Sequence, residues 1–251
     1  MIKTSIAVAL SLLCAGPAMA QQSQSSNDDF PDHIKGDLGA GVFRLDRNVV
    51  TKSDHTTVLP YAYFDYGRFF ARLDTFGIKT VKLGAGYLEL AARVNFEGIK
   101  DIRGLSDRSN PIPIGIGTLQ ETPYGAFFLN AFYDVNKSHG TLLEAIYAAQ
   151  FDVGPVSIYP QVGIERRSGS YNNYFFGISQ SEAGASGYRE YHAGASTSPM
   201  LGLSAQMPIN DKWNLNFTWR RKWLGSAVAD SPIVKRSTEN MALLAVSYNF
   251  K

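Results

Sequence analysis

The sequence predicts an all-β protein, an antiparallel transmembrane β-barrel of ten strands, with twelve as the alternative count and long loops at its outer end. Three observations carry this. Stretches of about ten residues alternate apolar and polar side chains between clusters of Gly, Pro, Asn, Asp and Ser, the per-segment signature of a membrane barrel. No run of about eighteen apolar residues follows residue 20, so no spanning helix is encoded there. The chain also finishes on a regular strand, with Ala242, Leu244, Val246, Tyr248 and Phe250 in one apolar row. Such a last strand would close a barrel, because an open edge is not tolerated in lipid.

The N-terminus sets the compartment. Lys3 is a short basic region, residues 6–15 are apolar, and Ala18-Met19-Ala20 is a small-residue cleavage site. Residues 1–20 are therefore expected to be a cleaved secretory signal peptide. Residues 21–35 are polar and are expected to form a flexible periplasmic tail, leaving 36–250 for the barrel. The only cysteine, Cys14, lies inside the signal, which excludes a disulfide scaffold, a thiol enzyme and a cysteine-ligated zinc site after cleavage. The formal net charge is +2 with no basic block, so nucleic acid is not an expected partner.

The strands expected in order are 37–46, 57–66, 68–76, 87–96, 124–134, 140–152, 156–165, 196–207, 213–220 and 240–250. In 87–96, Leu88, Leu90, Ala92, Val94 and Phe96 oppose Glu89, Arg93 and Asn95. In 213–220, Trp213, Leu215, Phe217 and Trp219 oppose Asn214, Asn216, Thr218 and Arg220. A soluble sandwich or lipocalin-like barrel also alternates. Aromatics clustered at strand ends, such as Tyr61, Tyr63, Tyr66, Phe69 and Phe70, fit the girdles of a membrane barrel better. With ten strands, 168–195 and 224–239 are long outer loops, and 97–123 becomes an overlong periplasmic connection. Pro111 and Pro113 argue against a central strand there.

Two stretches are more specific than any strand: NYFFGISQSEAGASGYREYHAG (173–194) and LGSAVADSPIVKR (224–236). Through Tyr174, Gly177, Glu182, Gly187, Tyr191, Asp230, Ser231 and Pro232, the chain resembles the MltA-interacting protein / OmpV family of Gram-negative outer-membrane proteins. Residues 100–108 resemble a third family stretch through Gly104, Leu105 and Arg108. The resemblance implies an outer-membrane barrel that binds rather than catalyses. It implies a scaffold for a lytic transglycosylase and a peptidoglycan synthase; the alternative is a narrow porin-like channel or a surface adhesin. It also implies that Tyr248 and Phe250 form the barrel-closing signal read by the insertion machinery.

The candidate sites follow. No G-x-S-x-G and no metal-ligand spacing occurs, so neither catalysis, nor a cofactor, nor a metal is expected. The nearest constellation is Glu182, Ser186 and His192 in one loop, more simply a hydrogen-bonded surface. Arg72, Asp74, Glu89, Arg93, Glu144, Glu165 and Arg220 fall on inward rows; they would line a conduit or pair and seal it. In WRRKW (219–223), Arg220, Arg221 and Lys222 lie where lipopolysaccharide phosphates would be met, beside outer-membrane lipid. Arg103, Asp107 and Arg108, on the connection read as periplasmic, are the expected partner contacts.

Overall fold

The computed structural model describes residues 30–47, 49–50 and 55–251. The expected signal peptide, and residues 21–29 of the expected tail, lie outside the described residues. Thirteen strands form one antiparallel sheet: β1 (Lys35–Asp46), β2 (His55–Tyr66), β3 (Phe69–Arg72), β4 (Thr75–Leu83), β5 (Gly86–Arg93), β6 (Pro113–Thr122), β7 (Gly125–Asp134), β8 (Thr141–Ala148), β9 (Phe151–Val153), β10 (Val156–Arg167), β11 (Ser196–Pro208), β12 (Trp213–Trp223) and β13 (Thr238–Phe250). Each pairs with its chain neighbour except β8 with β9, β13 returns to β1, and β10 reaches β8, β9 and β11. The ring therefore closes with twelve strands, and β9 lies outside the count. It continues β8 along β10, since Gln161 faces Ala148 and Ile158 faces Phe151 in one register. The ladder breaks opposite Pro160, which has no N–H to donate.

Ten strands is thus corrected to twelve, at two places. RFFARLDTF is not one strand; it turns at Leu73-Asp74, where Leu73 takes φ 59°, and becomes β3 and β4. Residues 113–122, read as irregular because of their prolines, form β6. Pro113 is its first residue, the one position in a strand that does not need a backbone donor.

Burial follows the alternation. On β13, Leu244 and Val246 are exposed, while Ala245 and Ser247 are at most 2% exposed. On β12, Trp213 and Phe217 face outward and Asn216 and Thr218 inward. Apolar side chains point to lipid and polar ones to the lumen, the inverse of a soluble barrel.

The corrected count also reassigns the ends of the barrel. The turns 67–68, 84–85, 123–124, 154–155 and 209–212 share one end with the start of β1 and the end of β13. The long connections 94–112, 168–195 and 224–237 share the other. Short turns are periplasmic and long loops extracellular in such barrels. The connection holding Arg103, Asp107 and Arg108 therefore lies with the outer loops, not in the periplasm. Within the expected tail, residues 30–34 run back along the turn end. Gly67 donates to the Pro31 carbonyl (2.6 Å), Phe30 lies 5.1 Å from the Tyr87 ring, and Arg68 stacks on Phe30 at 4.4 Å.

Candidate functional site: a plugged mouth under a loop cap

After β10 the chain enters α1 (Gly169–Phe176), capped by Ser168, whose side chain accepts from Tyr171 N–H. This helix sits in the barrel mouth. Tyr171 and Phe175 are fully buried and pack on Phe70, Phe132 and Leu142, three residues whose side chains face the lumen. Gly140 lets the helix come close, because a Cβ there would meet Tyr171 backbone at 2.4 Å.

Beneath and beside α1 lies a layer of paired charges. Arg72 holds Glu89 through two contacts, 2.9 and 3.0 Å. Arg93 holds Glu144 through two more, 2.7 and 3.1 Å, and Asn130 donates to the same carboxylate. Glu165 accepts from Arg167 (2.8 Å) and Lys222 (3.1 Å). Lys222 reaches Glu239, and Arg167 reaches Glu97. The fork of Arg93 on Glu144 is bidentate, and each carboxylate of the layer faces a cation, as a low-dielectric interior requires.

Five of the seven predicted lumen residues, Arg72, Glu89, Arg93, Glu144 and Glu165, fall in this layer. Asp74 does not; it sits half-exposed at the β3–β4 turn, 3.9 Å from Arg93. Arg220 keeps its inward place between Thr218 and Lys222 but makes no ion pair among the described residues. Sequence reasoning missed Arg167, Lys222, Glu97 and Glu239. Lys222 was legible, since it continues the row of Thr218 and Arg220. Its reading as a phosphate contact is overturned by burial against Glu165 and Glu239. Arg220 too faces inward, so of that basic triplet only Arg221 faces outward, bonded to Asn240 at the level where the outer rows turn polar.

The outer loops knit into one cap. α2 (Gln180–Ser186) opens with a capping box: Ser179 accepts from Glu182 N–H, and the Glu182 carboxylate accepts from Ser179 N–H. That carboxylate also accepts from Ser106 N–H (3.0 Å) and pairs with Arg108 (2.9 Å). Burial opposes its ionisation, yet the Ser179 and Ser106 N–H groups and the Arg108 guanidinium prevail and hold its pKa at about 2. Arg108 also donates to the Gly177 carbonyl, and Tyr174 Oη accepts from Ser109 N–H. Gly187 ends α2 in the left-handed conformation. Tyr191 donates to the Ala227 carbonyl, Ser231 to that of Phe176, and the Asp230 carbonyl accepts from Arg189. Pro232 sits beside the buried Ile233. Val49, Ile99, Ile178 and Ile233 form the apolar centre of the cap, joined by α3 (Ser226–Ala229).

Two expected sites change meaning. Ser186 donates to the Glu182 main-chain carbonyl (2.6 Å), and the Glu182 carboxylate serves Arg108, so no nucleophile–base relay runs through this loop. Arg108 is a cap residue, and Arg103 and Asp107 lie on the same outer connection. Two recesses in the cap, one lined by Ile102, Leu105 and Phe175, the other by Arg47, Glu97 and Glu239, leave no more than about 10 Å³ each for a water-sized sphere. That is room for a single water at most.

The family model described as MltA-interacting protein MipA matches residues 38–250. The chain belongs to this family. It is 28% identical over 250 residues to outer membrane protein Omp26La of Vibrio anguillarum, covering 95% of this chain and 96% of that one. It is 27% identical over 250 residues to OmpV of Vibrio cholerae, with the same coverage. Against the MltA-interacting protein of Escherichia coli K12 it is 29% identical over 154 residues, 61% of this chain and 62% of that protein. This MipA-family chain is an outer-membrane β-barrel of a Gram-negative bacterium. Its relatives are named as outer-membrane or MltA-interacting proteins, not as enzymes. The Tyr248 and Phe250 rings, 4.8 Å apart, stand beside Trp213 on the lipid face at the turn end, on the strand that closes the ring.

Proposed function

We propose that this protein is an envelope scaffold, which binds a lytic transglycosylase, together with a peptidoglycan synthase, at the periplasmic end of its barrel. The observation that carries the reading is the plugged mouth. A mouth plugged by Tyr171 and Phe175, above charges paired at 2.7–3.1 Å, suits a binding platform better than a conduit. Kinship with a protein named as MltA-interacting supports the choice of partner. Arg103, Asp107 and Arg108 are not put forward as the contacts, because they lie in the outer cap. The surface facing peptidoglycan is the set of short turns with the anchored segment 30–34, on which Tyr124 is 84% exposed. The adhesin reading draws on the rigid outer cap and stands second.

The test is affinity capture from a crosslinked native envelope, with the tagged, folded barrel as bait and an unrelated barrel as control. Enrichment of a lytic transglycosylase is expected, with loss of that enrichment when residues 21–34 are removed and Tyr124 is changed to Ser. A correctly inserted bait that enriches neither enzyme overturns the scaffold.

A further inference from the structure

The lipid-facing rows end differently on the two halves of the barrel. On β3 to β8 they end in one ladder, Ala71, Phe76, Ala92, Ile114, Tyr133 and Thr141, each opposite the next, and none of these is charged. The other half is β10, β11, β12, β13, β1 and β2. Its outward rows are apolar through the bilayer, with Ile164, Leu201, Phe217, Leu244 and Val42 exposed. At their outer ends the same alternation brings three arginines onto this face. Arg166 follows Ile164 on β10, Arg221 stands between Trp219 and Trp223 on β12, and Arg44 follows Val42 on β1; all three are exposed. Among the described residues, Asp46 is the one carboxylate on these rows, and it is half-buried. Exposed Lys235 and Arg236 lie just before β13.

The register sets the three arginines at one depth. Arg221 lies opposite Asn240 and Arg44 opposite Ala242, both on β13. They are two strands and two residues apart, about 12 Å between Cα atoms at ordinary sheet spacings. Arg166 lies opposite Thr197 and Arg221 opposite Leu201, both on β11. That separates them by two strands and four residues, about 17 Å. From β10 to β1 each step moves toward the turn end of the wall. The outer strand ends step in the same sense: β11 rises to Ser196 above its top pair with β12, Met200–Lys222, and β13 rises to Thr238 above its top pair with β1, Asn240–Asp46. Strands tilted by about 35–45° stay level when they step by roughly one to one and a half residues per strand. The arginines therefore form a belt near one plane parallel to the membrane. That plane is the polar border of the outer leaflet. Trp219 and Trp223 flank Arg221, whose guanidinium lies 5.8 Å from the Trp219 ring, and tryptophan collects at the membrane–water interface.

Arg221 donates its Nε to Asn240 (2.8 Å) and Arg166 donates to Thr197 Oγ1 (3.2 Å), and neither makes an ion pair among the described residues. These partners steady a guanidinium without neutralising it. Its planar fork matches the oxygens of a phosphate. We infer that Arg44, Arg221 and Arg166 form a binding site for the phosphorylated sugar head of lipopolysaccharide, whose acyl chains lie on the apolar rows beneath. A disaccharide with a phosphate at each end spans the gap between Arg44 and Arg221 within reach of both side chains, and Arg166 extends the row. Three arginines against Asp46 leave the belt at a net charge of +2, the sign such a head requires. The site lies at the opposite end of the barrel from the scaffold surface and does not rest on that reading.

The experiment is lipid binding to the folded barrel in detergent, read by native mass spectrometry. The probes are bisphosphorylated lipid A, its dephosphorylated form and phosphatidylglycerol. Bisphosphorylated lipid A is expected to bind on the order of tenfold more tightly than the dephosphorylated form. The R44Q/R221Q variant should lose that preference, and R103Q, which removes an arginine from the cap, should keep it. Equal binding of the two lipid A forms, or a preference that survives in R44Q/R221Q, overturns the proposal and leaves the arginines as interface anchors. Phosphatidylglycerol that binds as tightly as bisphosphorylated lipid A also overturns it, and assigns the belt to phosphate headgroups at large. Heat-modifiable migration checks that each variant is folded. Should the double variant fail to fold, R44Q and R221Q are read singly by the same criterion, each expected to lose part of the preference.

Discussion

Glu182 shows how much one side chain can carry. It caps its own helix, receives the Ser106 N–H of another loop and pairs with Arg108, so it joins two connections that are far apart in sequence. Replacing it with Gln keeps the shape and removes the charge. The prediction is local: at pH 7 the E182Q cap opens to trypsin on the order of tenfold more often, the effect of about 1.4 kcal/mol, while the barrel keeps its heat-modifiable migration. The pH dependence follows from the depressed pKa. A carboxyl held at about 2 in the fold, against 4.5 ordinarily, contributes fully above about pH 4.5 and loses that contribution as pH falls toward 2. Pepsin digestion at pH 3 and then pH 2 should therefore show the wild type approaching the variant; a constant gap would mean that the charge does not hold the cap. Gly104 lies in the same seam. Its φ is +80°, and a Cβ there would meet the Ala185 and Ser186 backbone at 2.6 Å, so the two loops touch only because that position has no side chain.

Among the elements, α1 makes the sharpest prediction. If Tyr171 and Phe175 close the mouth, changing both to Ala removes two buried aromatic side chains, each worth about 3–5 kcal/mol in well-packed cores. The twelve-strand ring and its arginine–carboxylate pairs would remain. Planar-bilayer recordings should then show conductance well above that of the wild type. Unchanged conductance would assign the seal to the charge layer alone. The elements also show what could be read in advance. Alternation gave away most walls, because lipid on one side and polar lumen on the other impose period two on each strand. It failed at β3 and β4 because RFFARLDTF alternates straight through its turn, with Leu73 in the left-handed region where glycine or asparagine would have signalled reversal. It failed at β6 because the inward row there is Pro113, Gly115 and Gly117. A Cβ at Gly117 would strike the Asn130 side chain, and one at Gly115 the Ala131 carbonyl. Where the neighbouring strand leaves no room for a side chain, the alternation that marks a strand is lost on that row. The loop stretches stood out as motifs, but the contacts that join them, such as Arg108 to Glu182, run between distant residues and leave no periodic trace.

At the level of the whole molecule, both chain ends meet in one ladder: Gly36 pairs with Phe250, and eleven successive rungs join β1 to β13. Asp37 marks the seam from inside. It accepts from Gln206, Asn214, Ser247 and Asn249, which stand on three strands that come last in the chain. None of those bonds can form until the final strand has docked, so closure is among the most non-local steps open to this sequence. The order in which the wall is threaded is therefore separable from the wall itself. A chain rejoined by a short linker from Lys251 to Lys35, and opened instead at Gly154-Pro155, would contain the same twelve neighbours in a different order. Such a permutant should still reach the heat-resistant, fast-migrating form in detergent. What would change is timing: with the old seam now a local hairpin, the last pair to form would be β8 with β10, and the Asp37 cluster would become an early event instead of the final one.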